Sequence, residues 1–550
     1  MDALNRGPML TGIAVADFWQ NFPLALRAQG GRLSIGFFPA ETAQPVELQG
    51  GEQKRWTFAL GLAGAAPAAL EAVLAARHPL AVDAATLDAS GALPGFVADG
   101  LPADYLDTIE RIVDADDGFE ARRETIDEFG WRHFGEVVAD HESVNHDGPT
   151  PFITHYNNQY DFVLGAALHA LRTGDARWWR LHLQAARHLV DIDIYHTDGD
   201  RPLYNGGMFW HTDHYCPAAT ATHRTYSRRN AGAGDYGGGP ANEHNYSSGL
   251  LLHHCLTGDA DSREAVFSLA DWVIAMDDGA GTIWSLFERG PTGLASMTVE
   301  PGYHGPGRGA GNSILALLNA WQLEARRPYM DKAEALIRRC IHPRDDLAAR
   351  GLDDPEHRWS YLVFLQALAQ YLWLKECAGE FDYMFHHARE SLLHYARWIA
   401  KHERPYAEQL HKVELPTETW PAQDVRKPHV LHAAARYTSA DEAEFFRERA
   451  RFHLMRCLSD LRGFETWRLA RPLILLAVFG GWSAWYERLA AEPSSALPAE
   501  RLRHVHEFGE PQAFVAQSQR ARAGLREGVR TVAREFRRLA ADRLARRRRS

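Results

Sequence analysis

The chain has little of what small extracellular frameworks and thiolate metal modules are built from. Its five cysteines (Cys216, Cys255, Cys340, Cys377, Cys457) stand far apart in 550 residues, none in a CxxC pair, and their number is odd. That argues against a disulfide scaffold or a structural zinc site and leaves buried structural thiols as the expected use. No window approaches the roughly 18 uninterrupted apolar residues of a membrane span. The opening "MDALNRGPMLTGIAVADFW" lacks a basic segment, a long apolar core and a small-residue cleavage site, so the cytoplasm is the expected compartment. Positive charge is scarce except at one end. Net charge is −11, yet from Arg520 onward twelve arginines face three acids, a surplus of nine that leaves about −20 on the rest. So acidic a body speaks against a nucleic-acid-binding core.

What is present is ordinary globular material, 45% hydrophobic and 24% charged, in a length that one core seldom supports. Three regions separate. Residues 1–100 show β patterning: "RLSIGFF" (Arg32 to Phe38) and "KRWTFALGL" (Lys54 to Leu62), the latter with Trp56, Phe58 and Leu60 on one face, joined through the turn glycines of "LQGGEQ". A small β-sandwich-like domain is expected there. From about Tyr105 to residue 490 the period becomes helical. In "NNQYDFVLGAALHALRTGDARWWRLHLQAARHLVDIDIYH", Gly174 can close one helix and Asp175 can cap the next. The phrase Thr-Gly-Asp returns at Thr257 to Asp259, and weaker helix-turn-helix copies follow at "LLNAWQLEARRPYMDKAEALIRRCIH", "LAQYLWLKECAGEFDYMFHHARESLLHYARWIAKH" and "LHAAARYTSADEAEFFRERARFHLMRCL". Repeated helical hairpins joined by long Gly- and Pro-rich connections predict an α/α toroid over residues 101–490, its entry loops forming one rim. Residues 491–550 read as an Arg-rich helical tail. Leu525, Val529, Val532, Phe536 and Leu539 form a short seam suited to packing on the acidic body, to self-association or to an anionic surface.

The predicted rim loops share one chemistry. "GGGPANEHNYSS" supplies Glu243, His244, Asn245 and Tyr246; "THYNNQYDF" supplies His155, Tyr156, Asn157 and Asn158. "HGPGRGAGNS" adds His304, Arg308 and Asn312, "DDPEHRWSY" adds His357, Arg358 and Trp359, and "PTETWPAQDVRKPH" adds Glu418, Trp420, Asp424 and Arg426. A hairpin in "YNGGMFWHTDHYC", turning at Asn205 to Gly207, would present Trp210, His211, Asp213, His214 and Tyr215. Helix N-termini at such a rim favour an anionic ligand. His211, Asp213 and His214 could offer ligands to zinc or calcium, but the spacing fits no strong motif, and no metal or other cofactor is assigned.

At these residues the chain resembles the exo-acting rhamnogalacturonan lyase family. The N-terminal "FWQNFPLALRAQGGRLSIGFFPAETAQPVELQGGEQKRWTFAL" is similar to that family's central β-sandwich, and the hairpin at "LRTGDARWWRLHLQAARHLVDIDIYH" to its C-terminal toroid, over residues 15 to 470. The further N-terminal β-domain usual in the family is not seen. The resemblance implies an acidic polysaccharide as substrate and a site of His, Tyr, Asn and Arg.

The chemistry of such a cleavage follows from the substrate. β-Elimination removes the C5 proton beside a uronate carboxylate and expels the C4 oxygen. Donors such as Asn157, Asn245 or Arg308 would neutralise the carboxylate, each typically adding about 10² to 10³ in rate. Histidine suits the base and tyrosine the acid, so His244 with Tyr246 is the leading pair and His214 with Tyr215 the competing one. Asn157 and Asn158 also suit helix caps, and Trp210, Trp359 and Trp420 suit either packing or sugar platforms. Two alternatives remain open. A glycoside hydrolase would need paired carboxylates, Glu243 with Asp424 or Asp213 with Glu418. A non-catalytic glycan-binding protein would need neither.

Overall fold

The computed structural model describes residues 10–42, 45–62, 66–75, 82–114, 116–137, 155, 157–210, 239–298, 300, 302–492 and 496–547. Helices hold 59% of the described residues and strands 6%, so the fold is mainly helical with a small two-sheet β region at the N-terminus. Strand β1 (Leu10–Val15) pairs antiparallel with β4 (Phe58–Leu62), and β2 (Leu24–Gln29) forms a hairpin with β3 (Arg32–Phe37). Phe58 and Leu60 share one face of the last strand, and that face is the exposed one. Phe58, Leu60 and Leu62 are exposed, whereas Ala59 and Gly61 are buried. Helix α1 (Pro67–Ala75) packs on β1 and β4, and only small residues leave room for it. Helices therefore begin at Pro67, well before Tyr105. Trp56 instead stacks on Phe37, 4.7 Å between ring centroids.

Three more helices, α2 (Ala84–Ser90), α3 (Ala103–Asp114) and α4 (Phe119–Thr125), lead into a series of antiparallel hairpins. These pair α5 (Phe162–Thr173) with α6 (Ala176–His188), α7 (Ser248–Thr257) with α8 (Ala260–Asp278), and α9 (Arg308–Leu323) with α10 (Arg327–Cys340). After the short α11 (Leu347–Arg350) and α12 (Pro355–Arg358), α13 (Tyr361–Cys377) pairs with α14 (Tyr383–His402). The turn α15 (Thr419–Gln423) precedes α16 (Arg426–Arg436) and its partner α17 (Ala440–Leu461). Helices α18 (Ala470–Phe479) and α19 (Trp482–Ala491) follow, and the tail is one helix, α20 (Gln517–Arg547). Among the described residues no helix is long and apolar enough to cross a membrane.

The Thr-Gly-Asp turns work as read. Gly174 adopts φ 67°, a conformation costly for any residue with a Cβ, and its N–H reaches the Ala170 carbonyl at 2.9 Å. Asp175 then accepts from the Arg177 N–H at 2.7 Å. The copy repeats this with Gly258 at φ 72° and Asp259 accepting from Ser262 N–H at 2.7 Å. Asp259→Ala is expected to lower stability by about 1 kcal/mol in chemical denaturation with an unchanged m-value. A loss of only a tenth of that would mean that packing alone fixes the start of α8.

Burial divides the hairpins into two sets. Helices α9, α13, α16 and α18 are buried on nearly every face, whereas α6 and α10 bury one side and wet the other. The first helices also touch one another: α5 meets α7, α7 meets α9, α9 meets α13, α13 meets α16, and α18 meets α5. Lys427 on α16 lies fully buried between Glu403 Oε2 at 2.8 Å and Asp424 Oδ1 at 2.7 Å, and also donates to the Arg404 carbonyl. A buried cation needs such partners, because desolvation alone would cost several kcal/mol.

Candidate functional site

The N-terminal ends of the mutually touching helices bring their residues to one place. Tyr160 precedes α5, the turn Asn242–His244 and Tyr246 precede α7, Arg308 opens α9, Trp359 precedes α13, Gln423 closes α15 and Arg471 sits in the first turn of α18. A cavity of about 170 Å³ is lined by Tyr160, Arg308, Trp359, Trp420, Gln423 and Arg471. A second, larger cleft of about 590 Å³ lies between the β region and α6, lined by Lys54 and Arg187, and contains none of the expected site residues.

Hydrogen bonds fix the wall. Arg308 donates from Nη2 to Glu243 Oε2 at 2.7 Å and stacks over the Trp359 ring, 5.7 Å to its centroid. Gln423 Nε2 donates to the Tyr160 hydroxyl at 3.0 Å, while Arg426 Nε donates to Gln423 Oε1 at 2.7 Å and its Nη1 to Gln366 Oε1 at 2.6 Å. Arg426 and Arg471 stand over the Tyr160 ring at 5.4 and 5.7 Å. Burial pulls Arg426 down to about 10, which still leaves it cationic at neutral pH. Inward from the wall, Tyr160, Tyr246 and His244 form a row, with ring centroids 6.3 Å and then 5.6 Å apart, and Trp210 meets His244 edge-on at 5.8 Å. Burial and the neighbouring Tyr160 push the Tyr246 phenol above its ordinary range, against the pull of Arg308 and Arg426.

The backbone beneath the row is strained. Asn158, Tyr160 and Asp161 adopt φ of 44°, 50° and 69°, a region that non-glycine residues enter at roughly 1–3 kcal/mol each. The Asp161 carboxylate accepts from the Gly249 N–H at 3.0 Å, Asn158 Nδ2 donates to Asp161 at 3.0 Å, and Asn158 Oδ1 accepts from Val163 N–H at 3.0 Å. Burial lifts Asp161 to about 6 even so. Strain retained at this point fixes where the Tyr160 ring stands.

Several expected ligands lie behind the wall. Asn157 is buried and donates to the Phe209 carbonyl, and Asn158 accepts from the Val163 N–H in the first turn of α5, whose N-cap residue is Asp161. Asn245 is buried with Nδ2 aimed at the Leu269 carbonyl at 3.4 Å, because the chain must turn into α7 there. Asn312 Nδ2 holds the Glu243 carbonyl at 2.7 Å. Asp424 is bound to Lys427, Glu418 accepts from Thr466 at 2.9 Å with its side chain fully buried, and Arg358 pairs with Glu300 over the Tyr303 ring. Trp359 and Trp420 do reach the cavity. Tyr156, His211, Asp213, His214 and Tyr215 lie outside the described residues.

Sequence reasoning missed Tyr160, Gln366, Gln423 and Arg471. Tyr160 stands in the quoted "NNQYDF" loop, where the asparagines drew attention first, and Arg471 sits in "LARPLILL", which reads as core. No family model and no curated protein sequence matches the chain.

Proposed function

We propose that this chain is a polysaccharide lyase that cleaves a uronate-containing glycan by β-elimination, on an α/α toroid whose rim is the cavity described above. The contacts from α5 through α7, α9, α13 and α16, with α18 returning to α5, support the toroid. The observation that carries the chemistry is the pairing of guanidinium groups with a phenol on one cavity wall: Arg308 and Arg471 beside Tyr160, with Arg426 behind. An ionised carboxylate opposes carbanion formation at C5, and preorganised cations offset that where charge develops. Arg308 is the leading neutraliser, since Glu243 holds its Nη2 and so orients the group. Tyr160, on the cavity wall, donates a proton to the departing C4 oxygen, and Tyr246, the ring between, takes the C5 proton as its own hydroxyl proton passes to His244. Trp359 and Trp420 offer flat faces to sugar rings. The hydrolase alternative draws less support, because Asp424 and Glu418 are buried and engaged, and Glu243 is tied to Arg308.

The test is a set of acidic polysaccharides and oligosaccharides incubated with the protein while the ultraviolet absorbance of an unsaturated uronate is followed. A rise on at least one substrate is expected. Release of reducing ends without that absorbance would transfer the site to a hydrolase.

A further inference from the structure

Beside Asn158, around a small void separate from the cavity, the structure gathers a second group of polar side chains that the lyase reading does not use. His188 ends α6, Asp193 lies in the turn Leu189–Asp193, and Glu136 comes from the segment between α4 and α5. His188 Nε2 stands 2.9 Å from Glu136 Oε2 and 3.2 Å from Asp193 Oδ1. All three side chains are buried, and one ligand atom from each lies within 4.8 Å of the others. An imidazole nitrogen has at most one proton to share between those two carboxylates.

Two independent features mark the spot. Gln159, 2% exposed, has both its amide oxygen and its amide nitrogen without a hydrogen-bond partner. It lines the same void as Glu136, His188 and Asp193, and that void measures about 10 Å³. Such a volume suits a single water-sized atom, and a buried amide left unpartnered there is costly. Gly135 makes the approach possible: its φ is 107°, and a Cβ would come 2.5 Å from the Gln184 carbonyl oxygen and 2.9 Å from His188 Cβ.

We propose that Glu136, His188 and Asp193 bind one divalent first-row metal ion, with zinc the best match, and that the Gln159 amide oxygen completes the set. One imidazole and two carboxylates suit such an ion, and bonds of about 2.0–2.2 Å would set ligand atoms about 3.3–3.5 Å apart. The two separations from His188 Nε2, 2.9 and 3.2 Å, reach that with movements of a few tenths of an ångström, and the two carboxylates stand within 4.8 Å of each other. The ion would be structural, closed off from the cavity, and would tie the end of α6 to the loop that carries Asn158 and Tyr160. The inference stands apart from the lyase reading, since it concerns what holds the strained loop and not what the cavity does.

The test uses the full chain without a histidine tag, stripped with a chelator and then dialysed against Zn²⁺. One zinc per chain by elemental analysis is expected, with a Tm that climbs as free Zn²⁺ is raised. Co²⁺ in its place should give the visible absorption of a four-coordinate site. Glu136→Gln and Asp193→Asn should each weaken retention at least about tenfold. Zinc well below one equivalent in the wild-type chain, with an unmoved Tm, would overturn the proposal and leave His188 as a buried ion-pair partner of the two carboxylates. So would full retention in both variants, which places the metal elsewhere.

Discussion

Tyr160→Phe and His244→Ala are each expected to lower turnover on an acidic glycan by on the order of 10² to 10⁴, the usual worth of a positioned acid or base. Both residues sit in the row that runs inward from the cavity wall, and Tyr160 is held there by Gln423 and by a backbone that no helix propensity would choose. Removing one hydroxyl leaves the ring, its packing and the stacked arginines in place but strands the Gln423 amide, so circular dichroism should be unchanged and Tm should fall by only about 2–4 °C for each kcal/mol lost in Tyr160→Phe. Tyr246→Phe should cost at least about a hundredfold as well if its phenol relays or donates the proton. The pH profile tests the Tyr246 donor. An acid works while protonated, so activity falls as pH rises through its pKa. Burial holds the Tyr246 phenol above the ordinary tyrosine range, so a Tyr246 donor places the alkaline limb above that range. Near-normal rates in all three variants would move the chemistry to His214 and Tyr215 or end the lyase reading.

How much of this was legible before the structure depends on the distance over which each signal acts. The Thr-Gly-Asp turns are local: a left-handed glycine and an aspartate cap need only five consecutive residues, and both copies form as read. Helical period and the Arg-rich tail helix are equally local. The orientation of β4 is not, because alternation gives two faces and only a partner decides which is inside. Here α1 chose the face of Ala59 and Gly61. The site divides the same way. Entry loops rich in His, Asn and Arg could be counted along the chain, and Arg308, Trp359 and Trp420 do line one cavity. Which asparagine faces a ligand and which caps a helix is a matter of rotation at the loop, and Asn157, Asn158 and Asn245 turned inward. Arg426 was named among the rim residues, but its bonds to Gln366 on α13 and Gln423 on α15 join segments up to 60 residues apart. The cluster of Glu136, His188 and Asp193 is the extreme case, since neither its spacing nor its composition forms a motif.

Arg308→Ala should lower turnover on the carboxylate form of the substrate by about 10² to 10³ and hurt an esterified or carboxyl-reduced substrate far less. The difference between the two substrates carries the argument, because only a uronate in its ionised form needs a cation when the C5 proton leaves. Arg308 has a second duty that must be separated from the first. It is the partner of Glu243, whose side chain is almost fully buried, and an uncompensated buried carboxylate is destabilising by roughly 3–5 kcal/mol. A simple loss of activity in Arg308→Ala could therefore report partial unfolding. The double variant Arg308→Ala with Glu243→Gln removes the stranded charge, so its Tm should recover toward that of the wild-type chain while its activity on the acidic substrate stays low. Arg308→Lys keeps a charge but loses the planar fork that can hold Glu243 and a carboxylate together, so it should restore stability better than rate. If the double variant regains activity with its stability, Arg308 is structural and the neutralising cation must be sought at Arg471. Equal losses on ionised and esterified substrates would point to a reaction in which no carboxylate is touched, and the hydrolase reading would then take precedence.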